Sequence, residues 1–341
     1  MRDLVVAGGG PVGLAAALHA ARAGLDVVVH EPRAGTIDKA CGEGLMPGAV
    51  DALRRLHVQP EGQPLTGIRY VSDGATAEAT FRHGTGLGVR RTALHAALAA
   101  AVTAARVPVE NQAVRSVQLA EDRVVVDGVE ARHLIAADGL HSPVRRMVGL
   151  DRPVGGSRRF GQRRHLGAAP WSSFVEVHWA QAGEAYVTPV SEEEVGVAVL
   201  TRERRPWDDL IRSFPVLAER LADAPPTSEV RGAGPLRQRA RRRVTGRVLL
   251  VGDAAGYVDA LTGEGIALGL AQAEAAVAAV ASGRPATYEQ TARRLGWRHE
   301  LLTRALVTST RSATVRDRLV PTAARLPAVF AAAVNQLGRS A

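Results

Sequence analysis

The stretch Leu4-Val5-Val6-Ala7-Gly8-Gly9-Gly10-Pro11-Val12-Gly13 carries the strongest structural signal in this chain. Its first residues form a short apolar run with two β-branched valines, and the Ala- and Leu-rich stretch after the glycines ends at Gly24. This order predicts a strand, a tight turn, a helix and a C-capping glycine. A second apolar run, Leu25 to His30, ends at Glu31, roughly 20 residues beyond the glycines, as in the βαβ unit of dinucleotide-binding proteins.

Each glycine of this motif has a predicted mechanical role. Gly8 permits the tight turn, Gly10 lets the backbone approach a pyrophosphate, and Gly13 lets helix and strand pack closely. The pyrophosphate would lie at the helix N-terminus, where unpaired N–H groups favour anions, and Glu31 would accept hydrogen bonds from ribose hydroxyls. Taken alone, the motif also fits an ordinary glycine-rich turn, and it does not separate nicotinamide enzymes from flavin enzymes.

Length and composition indicate a globular protein of two domains. The chain has 341 residues, of which 46% are hydrophobic and 23% charged, and domains average about 150 residues. The single cysteine, Cys41, cannot form an internal disulfide. The N-terminal residues leave no room for a signal peptide, and no apolar stretch reaches the ~18–20 uncharged residues of a membrane span. We therefore expect a cytoplasmic protein.

The chain is basic, but its charge does not indicate a nucleic-acid partner. The net charge is +9 and the isoelectric point is near 10.8. The arginines are scattered along the chain, and only 4% of the residues are aromatic, so stacking platforms for bases are scarce. We interpret most of the arginines as solvent-exposed side chains on the protein surface, and some of them as attracting an anionic ligand. We expect no nucleic-acid partner.

Two later apolar strands each end in an acid beside a glycine. The first is Leu134 to Gly139, with Asp138-Gly139 at its end, and the second is Arg247 to Gly256, which contains Gly252-Asp253-Ala254-Ala255. Taken alone, Asp138-Gly139 also fits an ordinary turn. Together with the N-terminal motif and Arg91-Thr92-Ala93-Leu94, these segments resemble the p-hydroxybenzoate hydroxylase-like superfamily of FAD-dependent oxidoreductases. That superfamily includes the group A flavoprotein monooxygenases and the geranylgeranyl reductases, and the resemblance covers nearly the whole chain.

The expected fold class is α/β, with a Rossmann-like FAD-binding domain, an inserted antiparallel β-sheet substrate domain and C-terminal helices. The residues predict a hairpin over 67–82, helices over 91–105, 206–222 and 265–281, and an antiparallel sheet over 153–201. The expected boundaries are 1–66, 88–152 and 236–285 for the FAD-binding domain, 67–87 and 153–235 for the substrate domain, and 286–341 for the C-terminal helical segment.

The resemblance also implies the roles of individual residues. The N-terminal glycines and Glu31 would hold the ADP half of FAD, Arg91 would lie near the pyrophosphate, and Asp253 would bind the ribityl chain. Asp138 would touch both FAD and the groove in which NAD(P)H docks transiently, without a second glycine motif. The expected cofactor-binding residues are Gly8, Gly10, Pro11, Val12, Gly13, Glu31, Pro32, Arg33, Cys41, Gly42, Arg91, Asp138, Gly139, Gly252, Asp253, Ala254, Ala255, Gly263, Glu264, Gly265 and Ile266.

Two segments are similar to the reductase branch of this superfamily. Typical aromatic hydroxylases have His and then Pro after the Gly-Asp-Ala-Ala motif, whereas this chain continues to Thr262-Gly263-Glu264-Gly265-Ile266. This continuation resembles geranylgeranyl reductases and flavin-dependent halogenases. Lys39-Ala40-Cys41-Gly42-Glu43-Gly44 resembles the Cys-Gly-rich loop of the reductases. The Trp-x-Trp-x-Ile-Pro signature of halogenases is absent from the chain, so halogenation is not expected.

Glu43 and Cys41 are the candidate catalytic residues. A carboxyl beside a flavin pocket acts as an acid or base if burial raises its pKa. The alternative is that Glu43 caps a helix near residue 48 and that Cys41 is a small buried apolar side chain. Near Glu264, the backbone N–H groups at the N-terminus of the next helix would stabilise negative charge on a reduced flavin. No histidine has a predicted catalytic role, and no ligand spacing indicates a metal site.

We expect an FAD-dependent monooxygenase that consumes NAD(P)H and molecular oxygen. Its substrate would be an apolar phenolic, polyketide or isoprenoid small molecule. The alternative is a flavin-dependent double-bond reductase of the geranylgeranyl reductase type, and a third hypothesis is a nucleotide-binding protein without redox turnover. No protein partner is inferred.

The C-terminal segment combines basic and apolar residues. Between Gly296 and Ala341 the arginines, from Arg298 to Arg339, outnumber the acids, and Leu319-Val320, Leu326 and 328–331 lie between them. One interpretation is that the segment forms helices that pack over a domain and expose their basic side to solvent. The other is peripheral contact with a membrane from which a lipid-like substrate is collected.

Overall fold

The computed structural model describes residues 1–155 and 158–337. Residues 156–157 of the predicted substrate domain, and Arg339 with the end of the predicted C-terminal segment, lie outside this range. The strands in chain order are β1 (Arg2–Ala7), β2 (Val27–His30), β3 (Gly44–Leu45), β4 (Gln63–Leu65), β5 (Gly67–Ser72), β6 (Ala75–Thr80), β7 (Gly86–Gly88), β8 (Val109–Glu110), β9 (Val117–Leu119), β10 (Val124–Val126), β11 (Val129–Ala136), β12 (Phe160–Leu166), β13 (Phe174–Ala180), β14 (Gly183–Pro189), β15 (Val195–Thr201), β16 (Arg231–Ala233), β17 (Gln238–Arg239), β18 (Val244–Thr245), β19 (Val248–Leu250) and β20 (Gly256–Tyr257).

The helices connect these strands and form the C-terminal part of the described chain. A single turn of 3₁₀ helix covers Gly252–Ala255, directly after β19. The α-helices are α1 (Pro11–Arg22), α2 (Pro47–Arg55), α3 (Arg91–Ala104), α4 (Pro143–Met147), α5 (Trp207–Ile211), α6 (Pro215–Arg220), α7 (Gly265–Ala281), α8 (Thr287–Ser309), α9 (Ala313–Arg325) and α10 (Pro327–Leu337).

The first sheet is built around β1 and has the order β18-β19-β11-β1-β2-β8. β1 pairs in parallel with β2 and β11, and β11 pairs in parallel with β19. The residues from Leu4 to Ala7 and all of β2 are buried, because α1, α3 and α7 cover one face and residues such as Val124 and Val144 cover the other. The carboxyl ends of the parallel strands therefore meet at one edge, where ligands bind in such sheets.

The second sheet has the order β16-β12-β15-β14-β13-β5-β6. All its pairs are antiparallel except β5 with β13. Because side chains alternate along a strand, the two faces of β15 differ. Val197 and Val199 pack against α5 and α6, whereas Ala198 and Leu200 belong to the core that also contains Val320 of α9.

A cavity of about 740 Å³ runs between the carboxyl edge of the first sheet and the inner face of the second. The loops after β1, β2, β11 and β19 line one end, and side chains of β5, β13, β14 and β15 line the other. This arrangement brings the sequence motifs and the apolar sheet face into one continuous space.

The structure confirms the predicted α/β class, the hairpin at β5–β6 and the helix over 265–281. The predicted helix over 206–222 is wrong, because α5 ends at Ile211 and a separate helix begins at Pro215. Proline has no N–H to donate and its ring clashes with the preceding turn, so it starts the second helix. The domain boundaries stay a prediction.

Of the helices described, none is long and apolar enough to cross a membrane.

Candidate active site

Gly8 and Gly13 are required by the packing of the chain itself. Gly8 has left-handed backbone (φ +103°), and a Cβ there would lie 2.5 Å from the carbonyl oxygen of Ala137. A Cβ on Gly13 would overlap the carbonyl oxygen of Gly8. These two glycines therefore let β1, α1 and β11 approach one another, whether or not a ligand is bound.

Gly10 differs, because none of the described residues would clash with a side chain at this position. The nearest neighbour of an added Cβ would be Nη2 of Arg91, at 3.7 Å. Gly10 precedes Pro11, the first residue of α1, and both line the cavity with Val12. A backbone without a side chain at a helix N-terminus, facing open space and an arginine, fits the pyrophosphate of a dinucleotide.

Glu31 lies at the end of β2 and is held in place by its neighbours. Its Oε2 accepts a hydrogen bond from the Gly9 N–H (2.7 Å), and Oε1 accepts from Nε of Arg33 (2.7 Å). Burial of Glu31 opposes ionisation, but the hydrogen bonds from Arg33 and Gly9 outweigh it, and the pKa of the carboxyl lies below its ordinary value. A charged carboxylate at the cavity, next to Pro32, fits a ribose-binding acid.

Asp138 follows β11 and has one oxygen available for a ligand. Its Oδ2 accepts from the Val144 N–H at 3.0 Å. Its Oδ1 is buried and has no hydrogen-bond partner among residues 1–155 and 158–337. Burial raises the pKa of Asp138. Because an unpaired buried polar atom is costly, this oxygen fits a bound hydroxyl or amide group, and Gly139 beside it also lines the cavity.

The turn Gly252–Ala255 is fixed by the rest of the chain. Gly252 has left-handed backbone (φ +58°), and its N–H donates to Oε1 of Gln272 (2.8 Å). Asp253 lines the cavity, with its Oδ2 3.4 Å from Nζ of Lys39. Ala254 and Ala255 are buried behind it. The lysine had no predicted role, although it is the only lysine of the chain.

The fully buried Arg145 joins the two acid-glycine motifs. Its Nη1 donates to the carbonyl of Ala254 (3.0 Å), and its Nη2 donates to the carbonyl of Leu140 (3.2 Å). Its Nε donates to Asp151 (2.8 Å). The guanidinium thus holds the loop after β11 against the turn after β19. No role was predicted for Arg145 from the sequence.

The loop from Cys41 to Glu43 is anchored on both sides. Glu43 has left-handed backbone (φ +59°), which is uncommon for a residue with a side chain. Its Oε1 accepts from the Arg91 N–H (2.8 Å), and its Oε2 lies 2.7 Å from Nε2 of His165. The carbonyl of Gly42 accepts from Oγ1 of Thr188 (2.7 Å). Glu43 and Thr188 thus attach the loop to the second sheet.

This geometry bears on the two interpretations of Glu43 and Cys41. Glu43 does not cap the helix near residue 48, since Met46 is the residue that precedes α2. Its carboxylate instead accepts a hydrogen bond from the N–H of Arg91, the first residue of α3. Its role as an acid or base stays a prediction. Cys41 is half-buried and lines the cavity. Burial raises the pKa of its thiol, so the thiol keeps its proton near neutral pH.

Glu264 directs its carboxylate away from the cavity. It precedes the first residue of α7, and its Oε2 lies 2.7 Å from Nδ1 of His299 on α8. Burial raises the pKa of this carboxyl. Its neighbours Gly263, Gly265 and Ile266 line the cavity. The predicted role of this segment therefore rests on the backbone N–H groups that open α7 and not on the glutamate side chain.

The other end of the cavity is apolar and is lined mostly by residues of the predicted substrate domain, none of which the sequence had singled out as lining residues. Tyr70 packs against Trp179, with their ring centroids 5.3 Å apart, and the hydroxyl of Tyr186 donates to the carbonyl of Leu261 (2.8 Å). Alternation along strands indicated which residues share a face, but it did not indicate which face meets the motifs. The apolar lining residues are Ile68, Tyr70, Val175, Val177, Tyr186, Ala198, Leu200, Leu236, Leu261 and Val334.

Comparisons with known proteins agree with this geometry. The family described as "FAD binding domain" matches residues 1–298. A menaquinone reductase of Mycobacterium tuberculosis is 31% identical over 315 residues, covering 79% of this chain and 74% of that protein. A digeranylgeranylglycerophospholipid reductase 2 of Methanopyrus kandleri is 30% identical over 295 residues, covering 77% of this chain and 73% of that protein.

Solved structures of lower identity share the fold. A flavoprotein/dehydrogenase from Cytophaga hutchinsonii superimposes with a TM-score of 0.82 at 18% identity, covering 98% of this chain and 93% of that one. A flavin-dependent brominase superimposes with a TM-score of 0.83 at 16% identity, covering 99% and 93%. The family match and the reductases show more than the fold: this chain belongs to the FAD binding domain family and is an FAD-dependent oxidoreductase.

Proposed function

We propose that this protein is a flavin-dependent reductase that saturates carbon–carbon double bonds in a polyisoprenoid chain. The observation that carries the proposal is the similarity, at 30–31% identity over more than three quarters of the chain, to reductases named for menaquinone and for a geranylgeranyl phospholipid. Both of those molecules carry long polyisoprenyl chains. The anchored Cys41–Glu43 loop, which faces an apolar wall across the cavity, supports the same function.

In this proposal the residues predicted from the motifs hold FAD. Gly10 and Arg91 face the pyrophosphate, Glu31 binds a ribose, Asp253 binds the ribityl chain, and Asp138 contacts the cofactor through its unpaired oxygen. NAD(P)H is the proposed reductant. When bound and reduced, FAD supplies a hydride to one carbon of the substrate double bond. The chain must then supply one proton to the other carbon.

Two groups of the cavity can donate that proton. The Cys41 thiol keeps its proton because burial raises its pKa. The Tyr257 side chain lines the cavity, and no hydrogen bond to its hydroxyl occurs within the described parts of the chain. Burial raises the pKa of Tyr257 well above its ordinary value, and the nearby Asp253 raises it further. Both groups are therefore protonated at neutral pH, and both residues line the cavity.

The apolar wall has the properties needed to hold an uncharged chain. Val177, Tyr186 and Leu200 present side chains from three adjacent strands to the cavity. Such a surface binds an isoprenoid through the hydrophobic effect and excludes water from the reacting carbons. Orientation is then set by shape, since the wall offers few polar groups to the substrate.

Oxygen consumption separates this proposal from the monooxygenase predicted from the sequence. The purified holoenzyme is incubated with NAD(P)H and a short-chain polyprenyl quinone or polyprenyl lipid, with and without oxygen. A double-bond reductase gives a product heavier by two hydrogens under anaerobic conditions, and this gain persists after the quinone ring is reoxidised, which would reverse a reduction of the ring to the quinol. A product heavier by one oxygen atom, formed only when oxygen is consumed, would instead establish the monooxygenase.

Two variants identify the proton donor. Tyr257→Phe and Cys41→Ser remove the candidate groups separately, and the loss of general acid catalysis lowers the rate of double-bond reduction by about 10²–10⁴-fold. Tyr288→Phe is the matched control, because the Tyr288 hydroxyl donates to Leu250 in the core away from the cavity. Flavin reduction by NAD(P)H is measured in the same samples, and it stays unchanged when only proton donation to the substrate is lost.

A further inference from the structure

The C-terminal helices expose an unusual share of large apolar side chains. Among the described residues, half of the exposed large apolar side chains belong to α8, α9 or α10 or to the residue between the last two. On α8, Trp297 is 53% exposed and Leu301 is 58% exposed. Soluble proteins rarely keep such residues together on one surface without a partner.

The exposed face of α8 is also positively charged. Arg294 and Arg298 are exposed and form no ion pair with any residue in the described ranges, whereas Arg293 and Arg304 pair with glutamates of the same helix. The guanidinium of Arg298 lies 5.3 Å from the centre of the Trp297 ring. Because residues three and four apart lie on one side of a helix, Arg294, Trp297, Arg298 and Leu301 form one surface. We call these four residues the α8 face.

The same C-terminal segment forms part of the cavity wall. Phe330 of α10 packs against Tyr70 with their ring centroids 4.7 Å apart, and Val334 lines the cavity. Val320 of α9 is completely buried in the same core. Of the apolar residues that the sequence analysis associated with a lipid surface, Val320 and Phe330 are therefore buried.

We propose that the α8 face docks on an anionic lipid bilayer. Trp297 and Leu301 enter the boundary between headgroups and acyl chains, and Arg294 and Arg298 bind lipid phosphates. The positive charge of the face favours this occupant over a neutral surface, and aromatic side chains concentrate at lipid headgroups. The inference rests on the proposed function for its biological purpose, since a polyisoprenoid substrate resides in lipid.

Vesicle binding tests the proposal without any turnover. The full-length holoenzyme is sedimented with phosphatidylcholine vesicles that contain or lack phosphatidylglycerol, at low and at high salt. We expect binding only to the anionic vesicles and release as salt rises. Fluorescence gives a second readout, because Trp297 moves into an apolar environment while Trp179 and Trp207 stay buried in the protein; its emission shifts to shorter wavelength.

Two double variants locate the contact. Trp297→Ser/Leu301→Ser and Arg294→Gln/Arg298→Gln are each expected to weaken vesicle binding at least tenfold, with an unchanged unfolding midpoint because these side chains are exposed. Val216→Ser is the matched control, since Val216 on α6 is 46% exposed but belongs to another surface. Equal loss in the control would overturn the assignment to α8.

Other outcomes either contradict the docking proposal or separate it from the proposed function. Protein that stays in the supernatant at low salt, or that binds neutral and anionic vesicles equally, does not use this basic face. A concentration-dependent dimer that disappears in Trp297→Ser/Leu301→Ser would assign the face to a second copy of the chain. Failure of double-bond reduction with intact vesicle binding would reject the proposed function and leave the docking face in place.

Discussion

The two ends of the cavity are lined by different kinds of groups. The nucleotide end consists of four short turns at the carboxyl ends of parallel strands, and its contacts involve backbone N–H groups and single acids such as Glu31 and Asp253. The apolar end consists of side chains from strands far apart in the sequence, such as Tyr70 and Leu200. The first end depends on local backbone shape, and the second depends on how the sheet packs, so substitutions should affect them differently.

Arg145→Met should have the largest effect, because Arg145 connects the two turns of the nucleotide end from a fully buried position. Removing this guanidinium leaves the buried carbonyls of Ala254 and Leu140 without their donor and costs about 1–3 kcal/mol of unfolding free energy for each carbonyl. Urea unfolding measures this loss. Arg146→Met is the control, since Arg146 is exposed and makes one hydrogen bond to the His141 carbonyl. Similar stability of the two variants would contradict the role of Arg145.

Gly10→Val should abolish FAD binding without unfolding the protein. The side chain enters open space beside Arg91, where the pyrophosphate is proposed to bind, and we expect affinity to fall more than about 100-fold, or about 3 kcal/mol. Flavin absorbance after gel filtration and the unfolding midpoint of the flavin-free protein measure the two effects. Gly13→Val should instead destabilise the fold, because its Cβ overlaps Gly8. A flavin-loaded Gly10→Val enzyme would refute the proposed binding mode.

Glu176 should make the second sheet sensitive to acid. Burial opposes ionisation of Glu176, but hydrogen bonds from His178, Trp171 and Arg69 outweigh it and lower its pKa to about 2, from an ordinary 4.5. A folded-state pKa below the unfolded value stabilises the protein above pH 4.5, and this stabilisation, about 3 kcal/mol, disappears as the pH falls towards 2.

Unfolding free energies of the wild type and of Glu176→Gln, measured from pH 6 down to the acid limit, test this dependence. The variant lacks the titrating carboxyl and should lose less stability over the acid range. Parallel curves for the two proteins would show that Glu176 does not contribute to acid sensitivity.

Asp253→Ala should weaken FAD binding by roughly 1.5–3 kcal/mol, about 10- to 150-fold, because a charge-assisted hydrogen bond to the ribityl chain is lost. Titration of the flavin-free protein with FAD measures the change. Lys39→Met is the control, since it removes the 3.4 Å contact to Asp253 and keeps the carboxylate. Unchanged affinity in Asp253→Ala, or an equal loss in Lys39→Met, would argue against direct contact of Asp253 with the cofactor.

Much of the nucleotide end could be predicted from short segments. β1, the glycine turn, α1 and β2 follow one another within 30 residues, and their conformations depend on the local order of apolar residues, glycines and proline. α7 was predicted at its observed bounds for the same reason. Pro215 was present in the sequence, but its consequence, a break between α5 and α6, was not recognised.

The partners of the site's buried polar groups could not be predicted in this way. Glu43 meets His165, which is 122 residues away, and Glu264 meets His299 on α8. No local periodicity indicates such pairs, because they depend on how the two sheets and helix α8 pack in the folded protein. A buried carboxyl next to a glycine loop has many feasible partners in the sequence, and folding selects a few of them, which for Glu43 are the Arg91 N–H and His165.

Local sequence was sufficient for the βαβ unit and the α/β class, because backbone turns and strand ends are specified by neighbouring residues, whereas the FAD-binding roles and the reductase-like loop were implied by the resemblance to a known family. The cavity wall, the Arg145 connection and the division of the C-terminal helices into buried and exposed faces required the folded chain. Side chains on alternate positions of a strand are equivalent until packing assigns one face to the interior. For β15, that assignment placed Ala198 and Leu200, and not Val197 and Val199, against the cavity.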